Sequence, residues 1–115
     1  MLRPDETDLL AFFESVPESP DEEHIPFEYK ESSYRFEHKN GNTVLFTILP
    51  AYDEVAIDLD SEHINLSLRL ENVEEIVIVS DKKDNAQINF DSKFSFTTLH
   101  LKPEIKLVHK EERDL

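Results

Sequence analysis

The sequence predicts an α+β fold: an N-terminal helix followed by an antiparallel β meander that forms a curled sheet, a sandwich or an open barrel. Three observations predict it. One stretch near the start has helical spacing, an acidic and proline-rich break follows it, and then come about seven or eight short runs in which apolar and polar residues alternate. At 115 residues the chain has the size of one domain and is long enough to bury roughly 65% of its unfolded surface. The expected organisation is a single domain, 1–115, with a helix at 5–15, an acidic connector at 16–26, a β region at 27–109 and a frayed tail at 110–115.

Leu9, Leu10, Phe12, Phe13 and Val16 recur at helical spacing behind Asp5, with Glu6 and Asp8 favouring a helix start. Pro17 and Pro20 lack the amide donor that a helix needs, so Asp21, Glu22 and Glu23 fall in a solvated connector. Tyr34, Phe36 and His38 alternate with Arg35, Glu37 and Lys39 ahead of Asn40-Gly41. That pair predicts a two-residue type I′ hairpin in which Lys39 faces Asn42, Phe36 faces Leu45 and Tyr34 faces Thr47.

Val55, Ile57 and Leu59, then Ile64, Leu66, Leu68 and Leu70, read as strands with one wet face. Ile76 to Val79 is continuously apolar and predicts a central strand covered on both sides; a turn at Asp81 to Asn85 leads into the next, Gln87 to Asp91. Phe94 and Phe96 fall on one parity and Leu99 and Leu101 on the other, which predicts a bulge near Thr97 and Thr98. Pro103 ends that strand, and Ile105, Leu107 and His109 form a last one.

With 12 basic against 26 acidic residues the formal charge is −14, which repels phosphate backbones and anionic lipid and attracts cationic surfaces. A basic protein partner is therefore expected, with no nucleic acid and no membrane. Residues 1 to 31 hold ten carboxylates against Arg3 and Lys30, a net −8. No run approaches the roughly 20 apolar residues of a membrane span. The N-terminus also lacks the pattern of a secretory signal, so the expected location is cytoplasmic.

Chemistry finds little footing. Without cysteine there is no disulfide and no thiolate metal site, and the single glycine permits no phosphate-cradling loop. Asp58, Asp60, Glu62 and His63 resemble the start of a calcium loop but lack its turn glycine and distal glutamate, and read as a charged hairpin turn. The five histidines show no paired metal-ligand spacing, and no serine sits in a nucleophile elbow. No enzyme, no catalytic residue, no metal and no cofactor are expected.

In texture, as a short, cysteine-free, highly acidic single domain without catalytic signature, the chain resembles bacterial immunity proteins that neutralise cognate toxins, many of them nucleases. The resemblance implies an inhibitor that plugs a toxin's active site or an adjacent exosite. The candidate partner contacts are Glu18, Asp21, Glu22 and Glu23 of the connector, and Tyr52, Asp53, Glu54, Asp58, Asp60 and Glu62 of a later strand and turn. Phe27, Tyr29, Tyr34 and Tyr52 lie among carboxylates as arginine- or lysine-binding aromatics do, although ordinary burial favours core or rim packing for Phe27 and Tyr34. The alternative is a structural or regulatory β module that self-associates, as a homodimer, through an open edge near Ile105 to Val108. A third reading is an enzyme or carrier with a pocket inside the curled sheet.

Overall fold

The structure, a computed structural model, describes residues 1–111. It contains one helix, α1 (Glu6–Phe13), followed by two four-stranded antiparallel sheets. The first is β1 (Ser32–Glu37), β2 (Thr43–Leu49), β3 (Glu54–Asp60) and β4 (Asn65–Leu70). The second is β5 (Val73–Lys82), β6 (Asn85–Ser92), β7 (Ser95–Lys102) and β8 (Lys106–Glu111). Both are meanders in sequence order, β1-β2-β3-β4 and β5-β6-β7-β8. The α+β class is as the sequence predicts, and the meander takes the sandwich form, one of the three that the sequence allows.

The alternation explains the layers. In the first sheet Tyr34, Phe46, Ile57 and Leu68 form one cross-strand row and Ser32, Ile48, Val55 and Leu70 another, all on the inner face. Ile88 and Phe90 of β6 and Thr97, Leu99 and Leu101 of β7 supply the facing layer. The Phe46 and Phe90 rings meet across the interface at 5.6 Å. Leu9, Phe12 and Phe13 of α1 are fully buried, each contributing about 1.5–3 kcal/mol of apolar transfer. Phe13 stacks on Phe46 at 4.9 Å and on Tyr34 at 5.8 Å. The Tyr34 hydroxyl is buried without a hydrogen-bond partner. Burial pushes it well above the ordinary tyrosine pKa; Glu6 adds to the rise and Arg3 opposes it.

The N-terminal segments close one side of the sandwich. Leu2 N–H donates to Glu74 O at 2.9 Å and Ile76 N–H to Leu2 O at 2.8 Å, which caps the edge of β5. After α1, Ser15 Oγ accepts Arg35 N–H at 3.1 Å, and Glu18 exchanges two backbone bonds with Ser33 at 2.9 and 2.7 Å, which caps β1. The helix thus runs from one capped edge to the other. On the opposite side, β4 and β8 have no strand neighbour beyond them among the described residues. Clefts of about 360 and 250 Å³ open between these two edges.

Several expectations change. The helix stops at Phe13 rather than Ser15, because Glu14 turns left-handed at φ 55°. The β1–β2 register is Tyr34 to Phe46 and Phe36 to Val44, one residue from that predicted. The loop is Lys39-Asn40-Gly41, closed by His38 N–H to Asn42 O at 2.8 Å, and among these only Gly41 has positive φ, at 94°. Such a three-residue turn with a left-handed glycine brings Val44, Phe46 and Ile48 inward in place of Leu45 and Thr47.

Strand β5 is an edge, not a central strand, and Val77 and Val79 are exposed. No bulge interrupts Thr97 and Thr98; the β6–β7 register shifts instead between Ala86 and Gln87. Phe94 and Phe96 point outward, and buried Thr97, bonded through Oγ1 to His109 Nδ1 at 2.7 Å, takes the inward position. Lys110 and Glu111, expected to fray, end β8, and the remainder of the expected tail lies outside the described residues.

Candidate partner-binding face

Charge is divided between the layers. Residues 1–72, which build the first sheet and its N-terminal cover, hold 17 acidic against 5 basic residues, a net −12; residues 73–115 hold 9 against 7, a net −2. Period-two alternation then sorts the first sheet's charges onto its outer face. There β3 presents Glu54, Ala56, Asp58 and Asp60, facing Leu49, Thr47, Leu45 and Thr43 of β2. On β4 the outward residues are Asn65, Ser67 and Arg69. Ser67 Oγ donates to Asp58 Oδ1 at 2.5 Å, fixing that carboxylate on the sheet. No lysine or arginine forms an ion pair with Glu54, Asp58 or Asp60 among the described residues.

At the end of the sheet where β2 turns into β3, a cleft of about 280 Å³ is walled by Tyr29 and Tyr52, with Asp21, Glu31, Lys30 and Leu49 around it. Both tyrosines are exposed, at 71% and 73%. Two short 3-10 turns place them, Phe27–Tyr29 and Pro50–Tyr52, and these turns pack against each other. Phe27 anchors the first turn beneath the Arg3 guanidinium, 4.6 Å from its ring. Asp21 is held by its own chain: its Oδ2 accepts Glu31 N–H at 2.9 Å and its N–H donates to Ser19 Oγ at 3.1 Å. An aromatic-walled cleft edged by carboxylates suits an arginine or lysine side chain, through ring-face attraction and charge together.

The sequence-predicted contacts therefore separate into groups. Asp21 and Tyr52, 31 residues apart in the chain, line one cleft. Glu54, Asp58 and Asp60 form one line on the adjoining face. Glu22 and Glu23 are exposed beside that cleft's connector, Glu22 lying 3.3 Å from His24. Glu18 spends its backbone on the β1 edge. Asp53 takes a structural post: it is left-handed at φ 54°, its carbonyl accepts Val73 N–H, and its carboxylate lies 3.3 Å from the Met1 nitrogen. Glu62 sits in the β3–β4 turn, at the far end of the sheet from the cleft. Of the aromatics, Phe27 and Tyr34 are core, while Tyr29 and Tyr52 are available. Glu31 and Leu49 were not singled out by sequence reasoning; the rows of the β2–β3 pairing carry Leu49 into place.

A larger cleft of about 720 Å³ lies near the β1–β2 turn, beside Glu14, His38, Lys102 and Pro103. Two contacts cross it: Lys102 Nζ is 2.8 Å from Glu14 Oε1, and His38 Nε2 is 2.6 Å from Pro103 O, while Glu37, Lys39, Lys83 and Asp84 also line it. No helix of the described residues is long and apolar enough to cross a membrane.

The two-sheet sandwich fold has a counterpart among solved structures. The chain is similar to a chain of the contact-dependent growth inhibition toxin–immunity protein complex from Klebsiella pneumoniae 342, with a TM-score of 0.67 and 20% identity over 95% of each chain. No protein-family model and no curated protein matches the chain.

Proposed function

We propose that this chain is an immunity protein, a cytoplasmic and non-enzymatic inhibitor that binds a basic toxin domain through the outer face of its first sheet and the Tyr29–Tyr52 cleft. The observation that carries the reading is the line Glu54, Asp58 and Asp60, outward-facing and free of basic partners among the described residues, next to a cleft shaped for a cationic side chain. The fold shared with a chain of a toxin–immunity complex supports it. Carboxylates held on a rigid sheet lose little freedom when they meet a cationic active site, and their field speeds the encounter. A nuclease, whose site binds phosphates, is the toxin class that such a face fits best.

The test is co-expression with a candidate toxin domain, sought among the reading frames that neighbour this chain's gene. Growth is expected to be restored in a bacterial host that the toxin alone arrests, and arrest in the presence of soluble chain would sink the reading. Self-association is the second reading, favoured by the open edges of β4 and β8. It predicts a dimer by light scattering whose stability changes little with salt.

A further inference from the structure

The hydrogen-bond parity of the first sheet shows what its open edge offers. Ser61 N–H donates to Ile64 O at 2.9 Å across the two-residue turn Glu62-His63. Paired residues in an antiparallel ladder alternate between bonded and non-bonded. Leu66, Leu68 and Leu70 therefore bond to β3, and the backbone groups of Asn65, Ser67 and Arg69 face away from the sheet. The same parity, carried across β3 and β2, sends Ser33 and Arg35 of β1 outward, where Glu18 and Ser15 bond to them. Three of the sandwich's four edges are guarded: β1 and β5 by the N-terminal segments, and β8 by Lys106 and Lys110. No segment covers strand β4, its one charged residue is Arg69 near the Leu70 end, and five of its six residues are exposed or partly exposed.

We propose that β4 is a docking edge and that an extended segment of the toxin joins the first sheet there as a fifth strand, an inference that rests on the immunity reading. Backbone pairing would supply the registration. Alternate side chains of the added strand would enter the cleft that Leu66 lines with Ile105 and Leu107, so they are apolar. The others would lie on the outer face, beside Asn65 and Ser67 and one strand from Asp58 and Asp60, so they are polar or basic. Charge selects the occupant: a second copy would bring together two chains that each carry a formal charge of −14, whereas a basic strand lies one strand from Asp58 and Asp60 and meets them favourably. It also favours the Asn65–Ser67 half of β4, which pairs with Asp60 and Asp58, over β8 with its Lys106 and Lys110.

The test uses the full chain and the same toxin domain, with affinity measured by calorimetry and amide exchange followed by mass spectrometry. Ser67→Pro removes the outward N–H at a position where an edge strand accepts proline; Ser67→Ala removes only the hydroxyl bonded to Asp58. Because both variants lack that hydroxyl, the alanine variant is the reference for the proline variant, which is expected to bind at least about tenfold more weakly than it. The amides of Asn65, Ser67 and Arg69 should gain protection in the complex. Exchange on the unsubstituted chain decides the matter even where the proline variant fails to fold. Tight binding with those amides unprotected would overturn strand addition and leave the immunity reading standing. No binding by the parent chain removes both. Protection of the same amides in the free chain, rising with its concentration, would assign the edge to a second copy instead.

Discussion

The ring of Phe46 lies 5.6 Å from that of Phe90, and this contact joins a strand of the first sheet to a strand of the second. Phe46 also carries the stacked Phe13 of the helix at 4.9 Å, so one side chain touches all three structural units. Phe46→Ala is expected to cost about 3–5 kcal/mol, a large part of the stability of a domain this size. Urea unfolding checks it; a loss under 1 kcal/mol would mean that the layers are held elsewhere.

Tyr34 buries a hydroxyl with no partner in the same core. Tyr34→Phe removes that unsatisfied group and is expected to leave stability unchanged or raise it by about 1 kcal/mol. The variant also reports on pH. The folded protein holds the Tyr34 proton more tightly than the unfolded chain, whose tyrosine titrates near 10.0. The extra stability is full below that pH. Above it the unfolded state gains by ionising, and folding stability falls by up to about 1.4 kcal/mol per pH unit. Melting curves from pH 9 to 11 should decline more steeply for the parent than for Tyr34→Phe.

Gly41 ends the first hairpin loop at φ 94°, with open space where a Cβ would stand. Gly41→Ala should therefore cost about 1 kcal/mol through backbone strain alone. A chemical denaturation midpoint measures it, and a much larger loss would show that the register itself had moved.

Leu2 fastens the edge of β5 with two backbone bonds. Leu2→Pro removes the donor to Glu74 and is expected to cost about 1 kcal/mol. In the variant the Ile76 amide should exchange faster, while that of Phe90 should not change.

Charge on the first sheet should govern how fast a toxin arrives. In the double variant Glu54→Lys, Asp60→Lys, association with the toxin domain is expected to slow by about tenfold at low salt. The two rates should converge as salt rises. Equal rates at low salt would remove the acidic face from the encounter.

Alternation made β3 and β4 legible residue by residue, and Asp5 with Pro17 bracketed the helix. The first hairpin was legible in place but not in register: one left-handed glycine serves both a two-residue and a three-residue loop, and only the inward burial of Val44 and Phe46 decides between them. The parity change between Phe96 and Leu99 misled: it suggested a bulge, whereas the strand runs on unbroken, both rings turn outward and Thr97 takes the inner position. The meeting of Asp21 with Tyr52 was not legible, because it depends on where the connector crosses the β2–β3 corner. Their acidic and aromatic character was; their distance was not.

Because net charge is concentrated in one layer of the sandwich, the molecule carries an electric dipole that points from one sheet toward the other. An approaching cationic body exerts a torque as well as a pull on such a slab. The first sheet turns to meet it before any atoms touch, and much of the rotational search that slows protein docking is completed in solution.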